Sequence, residues 1–186
     1  MGSQELGVHE IWMSRALEIA RQALEAGEFP VGCVLVGHGE IVGAGSRSNS
    51  KGSAQNELDH AEMLALRQWV ERGRPGGSQV VAYSTLEPCL MCTGALLISG
   101  IRKIVFAYED VMGGACGIEF SKGLTAFSQR CLEPSLYCQV SPIVMGGVLR
   151  KESLGLFKTF FSRPHNSYLK GTLLERYTLA QREEDE

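Results

Sequence analysis

The stretch QVVAYSTLEPCLMCTGALLISGIRKIVFAY, residues 79–108, predicts a strand, a helix and a second strand, and this order decides the fold class. QVVAYS and IRKIVFAY are short apolar runs of the kind that form buried strands. Between them Pro88 precedes an apolar run of helical length, and proline is well suited to the first helical position. Strands that alternate with helices predict an α/β sheet layered between helices.

The rest of the chain continues this alternation. An apolar spacing of three to four residues predicts a helix over 8–26, and PVGCVLVGHGEIVGAGS, residues 30–46, predicts a hairpin of two strands. A polar loop over 46–59 leads into a helix that ends at Gly73. We expect a last strand within 137–145 and helical segments over 151–162 and 167–182. Because no repeat or linker interrupts the chain, we expect one domain over 1–186, with a helical region from about 150.

The composition is that of a globular chain and argues against several classes of protein. Of the 186 residues, 44% are hydrophobic and 21% are charged, which is normal for a soluble domain. No apolar run approaches the roughly 18 residues of a membrane span, and the N-terminus lacks the profile of a signal peptide, so we expect a cytoplasmic protein without a membrane partner. The net charge of −3 argues against a strongly basic nucleic-acid binder, although a local basic patch is compatible with that total. The six cysteines fit reduced thiols better than a disulfide framework.

Cys89 and Cys92, in PCLMC, are the first candidates for chemistry. Residues three apart lie on one helix face, so both sulfurs can reach one ion, and a helix N-terminus favours the thiolate. By itself the pair suits a zinc site or a redox couple equally well. A redox couple calls for a thioredoxin-like context without a third ligand, and a structural zinc knuckle needs a second Cys-x-x-Cys or a histidine pair. The sequence contains neither arrangement.

The motif HAE, residues 60–62, supplies what the cysteine pair lacks. His60 is a candidate third ligand, because its helix and that of Cys89 each follow a strand or loop that can bring them to the same end of the sheet. Three protein ligands leave a fourth position for water, which is the arrangement of a catalytic zinc. Glu62 is placed to act there as a general acid and base, although a carboxylate in a first helical turn is also an ordinary surface feature.

Together, H-x-E and P-C-x-x-C form the signature of zinc nucleobase deaminases. The chain resembles the cytidine deaminase-like superfamily, and within it the bacterial tRNA adenosine deaminases, from the first helix to about Gly117. The resemblance is carried by EFPVGCVLV, HAEMLALRQ, TLEPCLMCTGAL and IVFAYEDVMGGACG. It implies a three-layer α-β-α sandwich with a central mixed sheet of about five strands.

The resemblance also implies a metal site and a reaction. One Zn²⁺ per chain would be bound by His60, Cys89 and Cys92, and Glu62 would be the proton shuttle. The enzyme would be a hydrolase that replaces the exocyclic amine of a nucleobase, at C6 of adenine or C4 of cytosine, by a carbonyl oxygen and releases ammonia.

Contacts to the substrate are implied for five further residues. Asn49 stands at the spacing of the asparagine that binds the base in purine-acting relatives, although a turn asparagine is also ordinary in such a loop. Val31 matches an apolar wall against the base, and this role is compatible with a place in the strand core. Ala61, Pro88 and Asp110 are assigned to the same substrate site.

The most similar relatives imply adenosine in a tRNA anticodon loop as the substrate and a homodimer as the assembly. One departure from those relatives concerns the C-terminal region. FKTFFSRP keeps the aromatic pair and Arg163, but Pro164 interrupts the segment and the chain ends in acidic residues. A deaminase of a free base or nucleoside, such as guanine, cytosine or a related ring, is therefore the alternative. A zinc-stabilised scaffold without catalysis is a third hypothesis, against which the intact Glu62 argues.

Overall fold

The computed structural model describes residues 3–51, 55–118 and 141–181, and these ranges form five α-helices and five strands. The helices are α1 (Ser3–Glu25), α2 (Ala61–Glu71), α3 (Leu90–Ile98), α4 (Arg150–Phe161) and α5 (Leu173–Ala180). The strands are β1 (Gly32–Gly37), β2 (Glu40–Ser46), β3 (Val81–Leu86), β4 (Lys103–Tyr108) and β5 (Ile143–Met145). Within the described ranges, no helix combines the length and the apolar content that crossing a bilayer requires.

The five strands form one mixed sheet in the order β2-β1-β3-β4-β5. β1 is antiparallel to both β2 and β3, whereas β3 pairs in parallel with β4, and β4 with β5. Helix α3 is the crossover between β3 and β4, because parallel neighbours cannot be joined by a tight turn. The predicted α/β class and five-stranded mixed sheet are thereby confirmed.

Two hydrophobic clusters cover the two faces of this sheet. In one cluster, Met13 and Leu17 of α1 pack with Val34 of β1 and with residues of β3 and β4. In the other, residues of α2, α3 and α4 pack with Cys33 and Leu35 of β1. Adjacent residues of β1 therefore face different clusters, which is the two-residue period of a strand buried on both sides. The sheet is the middle of three layers.

Helix α2 lies directly on β2 because two glycines leave room for it. A Cβ atom at Gly43 would lie 2.5 Å from the carbonyl oxygen of Ala65, and one at Gly45 would lie 2.3 Å from that of Ala61. Only glycine permits such a close approach of two backbones. The two glycines therefore set the height of α2 above the sheet, and with it the position of His60 at the start of the helix.

Some boundaries differ from the predicted ones. Helix α3 begins at Leu90 with Cys89 as its N-cap, so Pro88 precedes the cap instead of occupying the first helical position. The last helix is Leu173–Ala180. It begins at Leu173 because Thr172 caps it by accepting a hydrogen bond from the N–H of Glu175. The first part of the strand expected within 137–145 falls on residues 137–140, outside the described residues.

Candidate metal centre

The starts of two helices carry the three predicted ligands. His60 is the N-cap of α2 and Cys89 is the N-cap of α3, and neither side chain forms a capping hydrogen bond with its own helix. Cys92 lies one turn into α3 and is fully buried. Because these side chains do not cap their own helices, they are available to a shared ligand.

The donor atoms of His60, Cys89 and Cys92 lie within 4.8 Å of one another. The Nδ1 atom of His60 is 3.6 Å from the sulfur of Cys89 and 3.5 Å from that of Cys92. A tetrahedral zinc ion, with bonds of about 2.3 Å to sulfur and about 2.0 Å to nitrogen, holds such donors roughly 3.5 Å apart. The spacing and the chemistry of the three donors therefore fit zinc.

One of the two thiols is stabilised as a thiolate. A hydrogen bond from the Cys92 thiol, together with a weaker one from His60, lowers the pKa of Cys89 to about 4, although burial acts in the opposite direction. The thiolate is the form of cysteine that binds metal. The lowered pKa favours the form of Cys89 that binds zinc.

Glu62 points inward beside these ligands. It is 3% exposed. This burial excludes the interpretation of Glu62 as an ordinary surface carboxylate, which its place in a first helical turn also allowed. The hydroxyl of Ser84, on β3, donates a hydrogen bond to Oε1 at 2.9 Å, and Oε2 lies 3.4 Å from the sulfur of Cys92. Burial raises the pKa of Glu62, although the hydrogen bond from Ser84 acts in the opposite direction. A proton-accepting oxygen therefore lies next to the donor set.

A buried arginine organises the loop that leads to His60. Arg47 is 2% exposed, and its Nη2 atom donates to the carboxylate of Glu57 at 3.0 Å. That carboxylate lies 3.9 Å from Nε2 of His60, on the side of the ring away from the sulfurs. The Nη1 atom of Arg47 donates to three backbone carbonyls of the loop, those of Ser48, Asn56 and Asp59. Such outer contacts orient a metal-binding imidazole.

A half-buried carboxylate, that of Glu87, shapes the glycine-rich turn after β4. Glu87 accepts hydrogen bonds from the N–H groups of Asp110 at 3.3 Å and Cys116 at 3.2 Å. Asp110 in turn accepts from the N–H groups of Met112 and Gly113, both at 3.0 Å. These hydrogen bonds stabilise the turn, and they occupy Oδ1 of Asp110.

These elements enclose a cavity of about 180 Å³ next to the donor set. Five of the nine predicted site residues line it, namely Val31, His60, Glu62, Cys89 and Asp110. Cys92 contributes its sulfur to the donor set from a fully buried position. The structure therefore brings the motif residues to one cavity.

Three predicted substrate residues are not among the described residues that line this cavity. Asn49 is exposed, has a positive φ of 55°, and donates from Nδ2 to a carboxylate oxygen of Asp59 at 2.6 Å. Ala61 is buried against β2, and the carbonyl of Pro88 accepts hydrogen bonds from the hydroxyl of Thr93 and the N–H of Ala115. Contact of these three residues with a substrate stays a prediction.

Ten further residues of the cavity wall were not predicted from the sequence. Part of it had a signal, because those residues stand inside the quoted motifs EFPVG, TLEPC and DVMGG. No quoted motif covers Arg47 and Glu57, in the loop before HAE, or the residues from the C-terminal region, so these had no signal. The missed residues are Phe29, Arg47, Glu57, Leu86, Glu87, Met112, Gly113, Tyr168, Leu169 and Leu174.

Comparison with known sequences identifies relatives of the region that carries both motifs. Residues 7–108 match the cytidine and deoxycytidylate deaminase zinc-binding region. The chain is 34% identical over 159 residues to the tRNA-specific adenosine deaminase of Bacillus subtilis, which covers 82% of this chain and 88% of that protein. It is 38% identical over 113 residues to tRNA-specific adenosine deaminase 2 of Xenopus tropicalis, over 57% of this chain. The match spans 65% of the frog protein, just under two thirds of its length.

Comparison with solved structures gives the same fold. A structure from a study of A-to-I editing by tRNA deaminases at the wobble position is 33% identical, with a TM-score of 0.60, and the match covers 78% of this chain and 97% of that one. The guanine deaminase of Nitrosomonas europaea superposes with a TM-score of 0.60 at 23% identity, over 81% of this chain and 83% of the other. At that level of identity the second likeness concerns the fold alone.

Proposed function

Because the chain belongs to the cytidine and deoxycytidylate deaminase family through the zinc-binding region, we propose that the protein is a zinc-dependent hydrolytic deaminase that converts adenosine to inosine in tRNA. One observation carries the proposal: the donor atoms of His60, Cys89 and Cys92 lie within 4.8 Å of one another, beside a cavity that the buried Glu62 also lines. We assign one Zn²⁺ per chain to the three donors. The tRNA substrate follows from the Bacillus and Xenopus relatives, which are tRNA-specific adenosine deaminases.

In this proposal the chain itself supplies proton transfer and positioning. Zinc held by His60, Cys89 and Cys92 would supply Lewis acidity and so lower the pKa of a bound water to about 7. As water adds to the amine-bearing carbon, Glu62 takes one of its protons and gives it to the ring nitrogen. Glu62 then transfers the proton of the added hydroxyl to the amine, so that the C–N bond breaks, ammonia leaves and the carbonyl remains. Ser84 fixes the direction of the carboxylate by its hydrogen bond to Oε1. Phe29 and Val31 offer an apolar wall to the base.

A second groove supports RNA as the substrate. It has a volume of about 560 Å³ and shares Tyr168 with the metal cavity. Lys51, Arg163 and His165 line it, together with the acidic Glu25. A base in the metal cavity would thus leave its flanking phosphates near basic side chains, as binding of a flipped nucleotide requires.

Deamination of a free base or nucleoside is the second candidate, and the charge of the cavity wall favours it. Glu57, Glu87 and Asp110 line the metal cavity. The cation among its lining residues is Arg47, whose guanidinium is engaged by backbone carbonyls and by Glu57. Such a wall attracts a neutral base more readily than a phosphate.

The test compares substrates and a matched pair of variants. The zinc-loaded protein is incubated with a tRNA transcript that has adenosine at the first anticodon position and, separately, with a panel of free purines and pyrimidines. We expect inosine in the tRNA with release of ammonia. Glu62→Gln should lower the rate by at least about 10²-fold, because a proton shuttle is lost, whereas Glu71→Gln at the other end of α2 should not. If a free base is deaminated and no inosine forms in tRNA, the free base would replace tRNA as the proposed substrate. Equal rates for Glu62→Gln and wild type would contradict deamination by this site.

We further propose that the chain forms one deaminase domain over 1–186 and assembles as a cytoplasmic homodimer. Helix α3, LMCTGALLI, contains no charged residue, and Leu90 and Ile98 are each 57% exposed. Such an apolar face next to the cavity suits contact with a second copy. A reducing compartment is supported by the described cysteines, which are all free thiols: Cys33, Cys89, Cys92 and Cys116.

A further inference from the structure

The C-terminal part of the chain forms one side of the metal cavity. Residues 168–181, which we name the C-terminal strap, follow α4 and contain α5. Tyr168, Leu169 and Leu174 of the strap line the cavity, as do Phe29 and Val31 from the first part of the chain. Residues far apart in sequence therefore enclose the same space.

The N-terminal end of the strap is hydrogen-bonded to the loop that leads to His60. The hydroxyl of Tyr168 accepts a hydrogen bond from Nη2 of Arg47 at 3.2 Å and donates one to Glu57 at 3.0 Å. The ring of Tyr168 packs against that of Phe29, with centroids 5.4 Å apart. Arg47 and Glu57 also organise the loop that leads to His60, so the same two side chains position the strap and this metal ligand.

The C-terminal part of the strap is hydrogen-bonded to the end of β4. The hydroxyls of Tyr108 and Thr178 lie 3.1 Å apart, and the hydroxyl of Tyr177 donates to Glu109 at 2.6 Å. Leu174 is 1% exposed and Thr178 is fully buried. The strap is thus anchored on both sides of Leu169 by buried or hydrogen-bonded groups.

Leu169, between the two anchors, has an unusual backbone conformation. Its φ is 56°, in the left-handed region that bulky side chains rarely adopt. The hydroxyl of Thr172 donates to its carbonyl oxygen at 2.6 Å and holds the turn in place. Strained residues of this kind persist where the surrounding structure fixes them, and they are frequent at ligand-binding sites.

We infer that the C-terminal strap is a wall of the base-binding pocket, and that Leu169 is a specificity-determining residue that contacts the base. The inference rests on the proposed function, because it takes the metal cavity as the base pocket. With the strap in place the cavity is about 180 Å³, below the roughly 300 Å³ at which pockets for drug-sized ligands begin. A single base fits such a space, and the ribose and phosphates of a polynucleotide stay outside it.

The test uses two leucines with the same backbone conformation. Leu169→Gly removes the side chain that lines the cavity and relieves the positive φ. Leu149→Gly makes the same change at a φ of 53°, at the N-cap of α4, where Leu149 packs against the cluster on the α1 side of the sheet. For wild type and both variants we would measure zinc per chain, the Kd for purine riboside by calorimetry, and kcat and KM on the tRNA transcript. Purine riboside lacks the amine that leaves, so its binding is measured apart from turnover.

We expect Leu169→Gly to keep its zinc and to raise the Kd for purine riboside, and the KM, by about tenfold, since one apolar contact in a base pocket discriminates by that order. Its kcat should change much less, and Leu149→Gly should behave as wild type. An unchanged Kd in Leu169→Gly, an equal effect in Leu149→Gly, or a wild type that binds no purine riboside would overturn the inference. Failure of the proposed function would be seen separately, as a wild type that binds purine riboside yet makes no inosine in tRNA.

Discussion

Burial and geometry distinguish otherwise similar side chains in this protein. Glu62 and Glu71 both lie on α2, but Glu62 is 3% exposed and lies beside Cys92, whereas Glu71 is exposed at the end of the helix. Cys92 and Cys116 are both buried thiols, but Cys92 belongs to the donor set, and Cys116 lies 3.8 Å from the hydroxyl of Thr93. Residue type alone does not make these distinctions.

The two buried thiols should therefore differ in zinc binding. We expect Cys92→Ala to reduce the zinc content from about one ion per chain toward zero after dialysis, because a site with two ligands does not retain zinc. Cys116→Ala removes a buried thiol outside the donor set and should keep the zinc. Metal analysis of the purified proteins measures both, and equal zinc contents in the two variants would contradict the assignment of Cys92 as a ligand.

The sequence predicted the residues that the structure brings together as metal donors because they stand in two short motifs at helix starts. His60 and Cys89 are the N-caps of α2 and α3, so the local sequence already places them at helix starts. The contact of Asn49 with a substrate stays a prediction. Its spacing matched the motif, but its side chain is exposed and hydrogen-bonded to Asp59, because the fold of the loop, and not spacing, sets its direction.

At the scale of elements, the contact between α2 and β2 positions the metal centre. Helix α2 is close to the sheet because Gly43 and Gly45 have no side chain, and His60 caps the helix at the end nearest Gly45. Helix α3 presents Cys89 at its N-cap from the end of β3. The distance between the two helix starts thus depends on how closely each helix packs on the sheet.

A methyl group at Gly45 should therefore displace the start of α2. We expect Gly45→Ala to lower the unfolding free energy by about 1–3 kcal/mol through overpacking and to reduce the zinc content, because the added Cβ would lie 2.3 Å from the carbonyl oxygen of Ala61. Gly155→Ala in α4 meets open space and should stabilise the protein by about 0.5–1 kcal/mol. Thermal unfolding and metal analysis measure both effects, and a Gly45→Ala protein with unchanged zinc and stability would show that α2 can move without cost.

At the scale of the whole molecule, charge is distributed unevenly around the cavity. The chain carries a net charge of −3, and acidic residues line the metal cavity. Lys51 and Arg163 nevertheless line the neighbouring groove. The amine of Lys51 also donates to the carbonyl of Ala26 at 2.6 Å, so the guanidinium of Arg163 is the more available cation for a phosphate.

Removal of that cation should change the salt dependence of RNA binding. We expect Arg163→Gln to weaken tRNA binding and to reduce the slope of log K against log salt concentration by about 0.7, the value of one phosphate contact in single-stranded nucleic acid. Arg72→Gln, at the exposed end of α2, should leave the slope unchanged. Fluorescence anisotropy with labelled tRNA at several salt concentrations measures the slope. Identical slopes for Arg163→Gln and wild type would place the RNA elsewhere on the surface.

The sequence by itself determined the α/β class, the alternation of strands and helices, and the three donors with their neighbouring carboxylate, because each depends on local spacing along the chain. Only the tertiary structure decided what encloses the cavity. Arg47 and Tyr168 meet across 121 residues of sequence, and Leu169 and Leu174 line the cavity from a region without a motif. Contacts of that range follow from packing and burial of the whole chain, which no short pattern contains. The motifs therefore specify the chemistry, and the folded C-terminal strap specifies the shape of the space in which that chemistry is proposed to occur.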